Sequence, residues 1–214
     1  MPMPGAEERA GGSIAVACDT FTAPPIRFKR FDPEKFIQVA SYLTARCRLM
    51  TKKKLLKLIY FADKDHLLRY GRPVLNDYYV NMDQGPVASQ SYDIIKLNHR
   101  NCPLEILDRF RGHIQIKGYR LTSIREASTK RLSPSDVEAL DCVIARYGFM
   151  GAEHLSALSH REKAWLQTKT NELIDYRLFF DTPKSDDMRQ LVEQDQVVRN
   201  LVNEVRFSEE SPVT

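Results

Sequence analysis

Residues 54–63 read KLLKLIYFAD, and between Leu55 and Ala62 only Lys57 interrupts an apolar run. A helix that is apolar on almost every side is covered on several sides rather than laid on a surface. The run therefore predicts a central helix with the remainder of the chain wrapped around it. This helix begins after Thr51 and stops at Gly71, a residue suited to a helix C-terminus. Its ends are polar: Lys52-Lys53-Lys54 first, then Asp63-Lys64-Asp65-His66. Three cations in a first turn oppose the helix dipole, at a cost of about 0.3–1 kcal/mol each when exposed. They read either as a solvated cluster or as a site for an anion. That anion would be the chain's own acidic tail, a partner's carboxylates or a nucleic-acid phosphate.

Upstream, Asp32-Pro33-Glu34 has the cap and first-turn proline of a helix start, followed by Phe36, Ile37, Val39, Ala40 and Leu43 at helical spacing. Residues 1–31 are read as a flexible N-terminal arm, because Pro2, Pro4, Gly5, Gly11, Gly12, Pro24 and Pro25 favour loop. Downstream, Gly71-Arg72-Pro73 is a turn and Tyr78 to Met82 an extended piece. Gly85-Pro86 is expected to open a third helix with Val87, Tyr92, Ile94 and Ile95 inward, ending near Asn98. Residues 104–122 cluster Ile106, Ile114, Ile116 and Leu121 around Gly112 and Gly118, which predicts two or three antiparallel strands. Ser133-Pro134-Ser135-Asp136 starts a helix carrying Val137, Leu140, Val143, Ile144 and Tyr147, stopped by Gly148. Short helices are expected at 151–159 and 161–170, while 173–180 has no decisive period. Ser185 is expected to cap a last amphipathic helix with Met188, Leu191, Val192, Val198, Leu201, Val202 and Val205 on its stripe.

These elements define the fold class as α+β, mainly α-helical: a compact helical domain around a central apolar helix, with a small two- or three-stranded antiparallel sheet. The divisions are the arm 1–31, the domain 32–184, and the C-terminal amphipathic helix and tail 185–214.

The composition agrees with a folded domain. Of 214 residues, 43% are hydrophobic and 28% charged, close to globular averages of about 45–50% and 25%. That excludes a wholly disordered chain, a collagen-like fibre and a disulfide scaffold. No apolar run approaches the roughly 20 residues that span a bilayer, so no membrane contact is expected. Glu7 and Glu8 lead the N-terminus and Ser13–Cys18 is too short for a signal core, so a cytoplasmic protein is expected. Cys18, Cys47, Cys102 and Cys142 are spaced too far apart for a zinc knuckle and read as reduced thiols. The net charge of +4 is too mild to mark a nucleic-acid binder. It is uneven, however: the stretch from Ser185 onward is acidic and the body before it basic. The tail is expected either to fold against the body or to pair with a second chain.

Catalytic, cofactor and metal sites are not expected. The histidines at 66, 99, 113, 154 and 160 lack metal-binding spacing. There is no glycine-rich phosphate loop and no nucleophile elbow. Asp63, Asp65 and His66 fall on separate faces of their helix. Leu55, Leu58, Ile59 and Phe61 are expected in the core. Gly71 and Gly85 permit tight turns, Tyr92 and Trp165 anchor packing through their rings, and His160 is placed to cap or bridge a helix end.

Taken together the pieces resemble the Panacea domain family, the SocA-like antitoxin domain of bacterial and phage toxin–antitoxin pairs. The resemblance rests on KLLKLIYFAD at 54–63, LLRYGRPVLND at 67–77, DQGPVASQSYDIIK at 83–96, LSPSDVEALDCVIARYG at 132–148 and AEHLSALSHREKAW at 152–165. The motifs stand in the family's order. Lys54, Leu55, Lys57, Leu58, Tyr60, Gly71, Gly85, Pro86, Tyr92, His160 and Trp165 fall on the family's motif positions. The resemblance implies a non-enzymatic antitoxin that needs no cofactor and neutralises a cognate toxin, usually encoded next to it, by direct binding. The alternatives are an adaptor that delivers the toxin to a protease, and a DNA-binding autoregulator. Nucleic acid is the lesser partner, and a homo-oligomer is compatible with the sequence. Arg69, Arg72, Tyr78 and Tyr79, around the turn beside the central helix, are the expected partner-binding residues, together with Lys52 and Lys53.

Overall fold

The computed structural model of the chain describes Ile26, Phe28 and residues 30–209, with side chains as far as Asn200 except Lys184. Of the arm expected over residues 1–31, residues 1–25, 27 and 29 lie outside these, as do the side chains of Leu201, Val202 and Val205. Among the described residues there are eight α-helices and two antiparallel hairpins, a mainly helical α+β fold.

Helix α1 (Pro33–Arg46) starts where Asp32 accepts hydrogen bonds from the amides of Glu34 and Lys35. Helix α2 (Lys52–Tyr70) is capped by the Thr51 hydroxyl and ends at Gly71, whose φ of 69° is open to glycine at little cost. Leu55, Leu58, Ile59 and Tyr60 of α2 are at most 1% exposed. The helix as a whole is packed by α1, α3 (Ser89–Ile95), α5 (Pro134–Tyr147), α6 (Ala152–Ser159), α8 (Asp186–Glu209) and one hairpin. A reciprocal Ser133–Asp136 capping box opens α5, as its sequence predicts. Ile26 and Phe31 are also buried, and Phe28 packs edge-on against Tyr176.

Four local expectations are corrected. Gly85-Pro86 does not begin a helix. Gly85–Ala88 is strand β2, paired with β1 (Tyr79–Met82), and α3 begins only at Ser89. Residues 104–111 form helix α4 (Leu104–Arg111), with Leu107 and Phe110 buried three apart. Only the following hairpin, β3 (Ile114–Lys117) and β4 (Arg120–Ser123), is sheet. The segment 161–170 contains a single turn, α7 (Lys163–Leu166). Ser185 turns its hydroxyl back onto the Thr182 carbonyl, closing a 3-10 turn ahead of α8.

The stretch 171–174 runs along β1. Asn81 donates to the Glu172 carbonyl and Ile174 to that of Tyr79, making an irregular third strand. A 3-10 turn, Tyr176–Phe179, then drives Tyr176 and Phe179 into an aromatic cluster with Tyr60 and Tyr79. Helix α8 meets the body where Met188 and Val192 approach Gly71. Leu191 and Val198 of its expected stripe are 59% and 57% exposed. Among the described residues no helix is long and apolar enough to cross a membrane.

Candidate functional site

Motif residues distant in sequence converge on the turn between β1 and β2. Lys57 projects from α2 and is 1% exposed; its ammonium donates to the Pro86 carbonyl at 2.9 Å. Gly85, with φ +93°, leaves room for that ammonium: a Cβ there would stand 2.5 Å from Lys57 Nζ and overlap Ser159 Oγ. Ser156 donates to the Gln84 carbonyl at 2.6 Å, and the Trp165 indole to the Met82 carbonyl at 3.1 Å. His160 stacks on Trp165 with ring centres 4.2 Å apart. Lys53 reaches Gln84 and Glu153 at 2.6 and 2.7 Å.

Burial, and then the charge of Lys53, pull the Lys57 pKa down to about 7. Burial, and then Lys57, lower that of His160. A buried amine beside a serine is a pairing that nucleophilic catalysis can use. Here Ser159 is fully buried and gives its hydroxyl to the Ser156 carbonyl, while Lys57 gives its ammonium to Pro86. Both groups serve the backbone, so the arrangement clamps a hairpin.

The other half of α2 carries separate polar networks. Buried Asp63 accepts from the Leu75 amide and the Tyr79 hydroxyl. Burial outweighs those bonds and raises its carboxyl to about 7. Asp77 gathers the amides of Tyr78, Gln90 and Ser91 and the Ser91 hydroxyl, fixing the start of α3. His66 lies between the Arg72 carbonyl and the Ser135 hydroxyl, and burial lowers its pKa. Asp136 binds Lys35 and Arg72. Burial would raise its carboxyl, but the Lys35 bond and the Ser133 amide hold it below the ordinary value. Asp65 pairs with Arg69 instead, so Asp63, Asp65 and His66 indeed serve three different networks. Among the described residues no three His, Cys, Asp or Glu side chains are grouped to hold a metal. Cys47, Cys102 and Cys142 are free thiols, and Cys142 is exposed.

The residues expected to bind a partner are dispersed. Arg69 is engaged by Asp65 and Glu138, and Arg72 by Asp136 and Ser133. Tyr79 corrects the expectation of a surface anchor: it is fully buried, with its hydroxyl on Asp63. Tyr78 is 45% exposed. The lysine triplet is not one solvated cluster either. Lys54 is 3% exposed and donates to the carbonyls of Arg48 at 3.0 Å and Gly148 at 2.7 Å. Lys53 is paired as above, and Lys52 is half-buried. The described acids of the tail do not reach these lysines: Asp186 pairs with Arg189 and Asp195 with Arg199 within α8. Sequence reading also missed exposed Leu49, Tyr119 and Phe149, single apolar residues in loops with no period to reveal them. It missed as well a cleft of about 150 Å³ beside α2 and α5, lined in part by Phe61, Leu68, Val143 and Tyr147.

The fold and clamp define a helical scaffold whose motif residues hold its own backbone together. Residues 55–166 match the family described as antitoxin SocA-like, Panacea domain, and the chain belongs to that family. The match takes in the whole clamp, from Lys57 to Trp165. No curated protein and no solved structure matches the chain.

Proposed function

We propose that the protein is an antitoxin that neutralises a toxin protein by direct binding, without catalysis, in the cytoplasm. Membership of the SocA-like antitoxin family carries this reading. The inward use of Lys57, Ser159, Asp63 and Asp77 supports it, because these buried ionisable and hydroxyl groups are spent on backbone and neighbouring side chains. A stable neutralising complex buries about 1,200–2,000 Å², with a few aromatic or arginine anchors.

The test is expression of each neighbouring reading frame, alone and together with this protein, followed by a tagged pull-down. The expected result is growth arrest by one neighbour, relief on co-expression and a stoichiometric complex. Relief with loss of the neighbour protein and no complex would replace neutralisation with delivery to a protease. No toxic neighbour, together with salt-sensitive binding to the upstream DNA, would favour an autoregulator.

A further inference from the structure

We infer that the partner docks on the face gathered around the N-terminal end of α2, and that it presents an acidic surface set with apolar side chains. This inference rests on the antitoxin reading. Three loops meet at that end. Buried Lys54 ties the Arg48 loop to the Gly148 loop, and the Lys52 amide donates to the Tyr119 carbonyl at 2.9 Å. The loops raise Leu49, Tyr119 and Phe149 into solvent, at 75%, 66% and 77% exposure. Leu49 also has φ 54°, a left-handed conformation that a leucine rarely adopts. The fold thus holds an apolar side chain in water on a strained backbone, and such combinations gather at binding surfaces.

Charge identifies the occupant. Arg48 and Arg120 adjoin Leu49 and Tyr119 in the chain, Lys52 opens α2 and Lys96 lies near Lys52; none of the four makes an ion pair among the described residues. Elsewhere Arg109, Arg111 and Arg131 each hold a carboxylate. Burial, and then neighbouring Lys96, depress the Lys52 pKa, so the cations crowd one another. The first turn of α2 contains no acid, and its dipole adds to the same positive field. Carboxylates on a partner would relieve this crowding and steer its approach. The described part of the chain's own tail is not that partner. It meets α2 at Gly71, and a helix of 19 residues separates Gly71 from Lys52, about 28 Å at 1.5 Å per residue. Tyr119 and Phe149 offer rings on which nucleic-acid bases also stack; the antitoxin reading selects a protein, and the RNA probe below tests that choice.

The test uses the full chain and two probes. The first is the toxin found by the growth assay. Leu49→Asn should weaken its binding about 100-fold, a loss typical of an interface anchor, and Lys52→Glu/Arg120→Glu should do the same. Asparagine tolerates the left-handed conformation better than leucine, so Leu49→Asn should melt no lower than the wild type, which separates lost binding from lost folding. Leu166→Asp and Leu173→Asp, each at a residue 63% exposed elsewhere, should change affinity by less than about threefold. Unchanged binding by the face variants, or equal losses in the controls, would overturn the inference.

The second probe is a short synthetic helical peptide rich in Glu around Leu and Phe, compared with a single-stranded RNA. The peptide should bind, and should do so more weakly in high salt and to Leu49→Asn. Absence of peptide binding, or a preference for the RNA, would overturn the acidic-partner assignment. A family of neighbours without toxicity would defeat the antitoxin reading and leave the peptide titration to decide the face.

Discussion

Replacing Gly85 by alanine should be among the most damaging single-methyl additions in this protein. Two penalties add. The backbone at φ +93° lies where side-chain-bearing residues are strained, at about 1–2 kcal/mol. The new Cβ also meets Lys57 Nζ at 2.5 Å and overlaps Ser159 Oγ, and overpacking of a tight core costs about 1–3 kcal/mol. Lys57 cannot withdraw without abandoning the Pro86 carbonyl, nor Ser159 without leaving that of Ser156. The sum is roughly 2–5 kcal/mol out of a typical total of about 5–15. For a chain of this size that is a fall in melting temperature of roughly 4–20 °C. Gly118→Ala is the control: its φ is +62° but nothing lies within 4 Å of the added methyl, so only backbone strain applies. Thermal denaturation followed by circular dichroism, with urea titration for the free energy, compares the three proteins. If Gly85→Ala melts as high as Gly118→Ala, the clamp is not the close-packed unit described above.

Lys57→Met should change how stability depends on pH. The folded-state pKa of Lys57 is about 7, against about 10.4 for an unperturbed lysine. Between these values the unfolded chain holds a proton that the folded chain has released, so wild-type stability should rise from about pH 7 to about pH 10, by at most about 4 kcal/mol. The methionine variant should lack that rise in urea titrations across the window, and parallel profiles would refute the assignment. Tyr60→Phe should be neutral or stabilising by up to about 1 kcal/mol, although Tyr60 is a motif position. Its hydroxyl is buried without a hydrogen-bond partner among the described residues, while its ring is packed by Phe61, Tyr79 and Phe179. A clear drop in melting temperature would show that the hydroxyl has a partner.

The helices that open on local chemistry were legible from sequence. Asp32-Pro33, Thr51 with Gly71, and Ser133-Pro134 each set a boundary through bonds within a few residues of themselves. What failed depended on distant partners. Gly85-Pro86 resembles a helix start, but its conformation answers to Lys57, twenty-eight residues earlier, and to Ser159, far downstream. Lys54 read as part of a solvated or anion-binding cluster because nothing local announces that backbone carbonyls will receive it. In 104–111 the buried pair Leu107 and Phe110 had helical spacing, but β-branched Ile106 and nearby Gly112 pointed toward sheet. The binding candidates fared as exposure dictates. Periodicity separates inside from outside on a helix but says little about Tyr78 and Tyr79, adjacent loop-and-strand residues of which one is exposed and one fully buried.

Short hairpins carry a hazard, because an uncovered strand edge invites another chain to add to it. Here coil backbone closes two of the four edges and burial covers a third. The 171–174 stretch lies along β1, while β2 is buried along its length and gives its Pro86 carbonyl to Lys57. On the second hairpin, Leu121 donates to the Met50 carbonyl and Lys52 to that of Tyr119, so the approach to α2 seals β4. That leaves β3, four residues long, with exposed Gln115 and Lys117. A short edge strand and an exposed lysine are both features that blunt such pairing, so β3 is a poor template for a growing sheet.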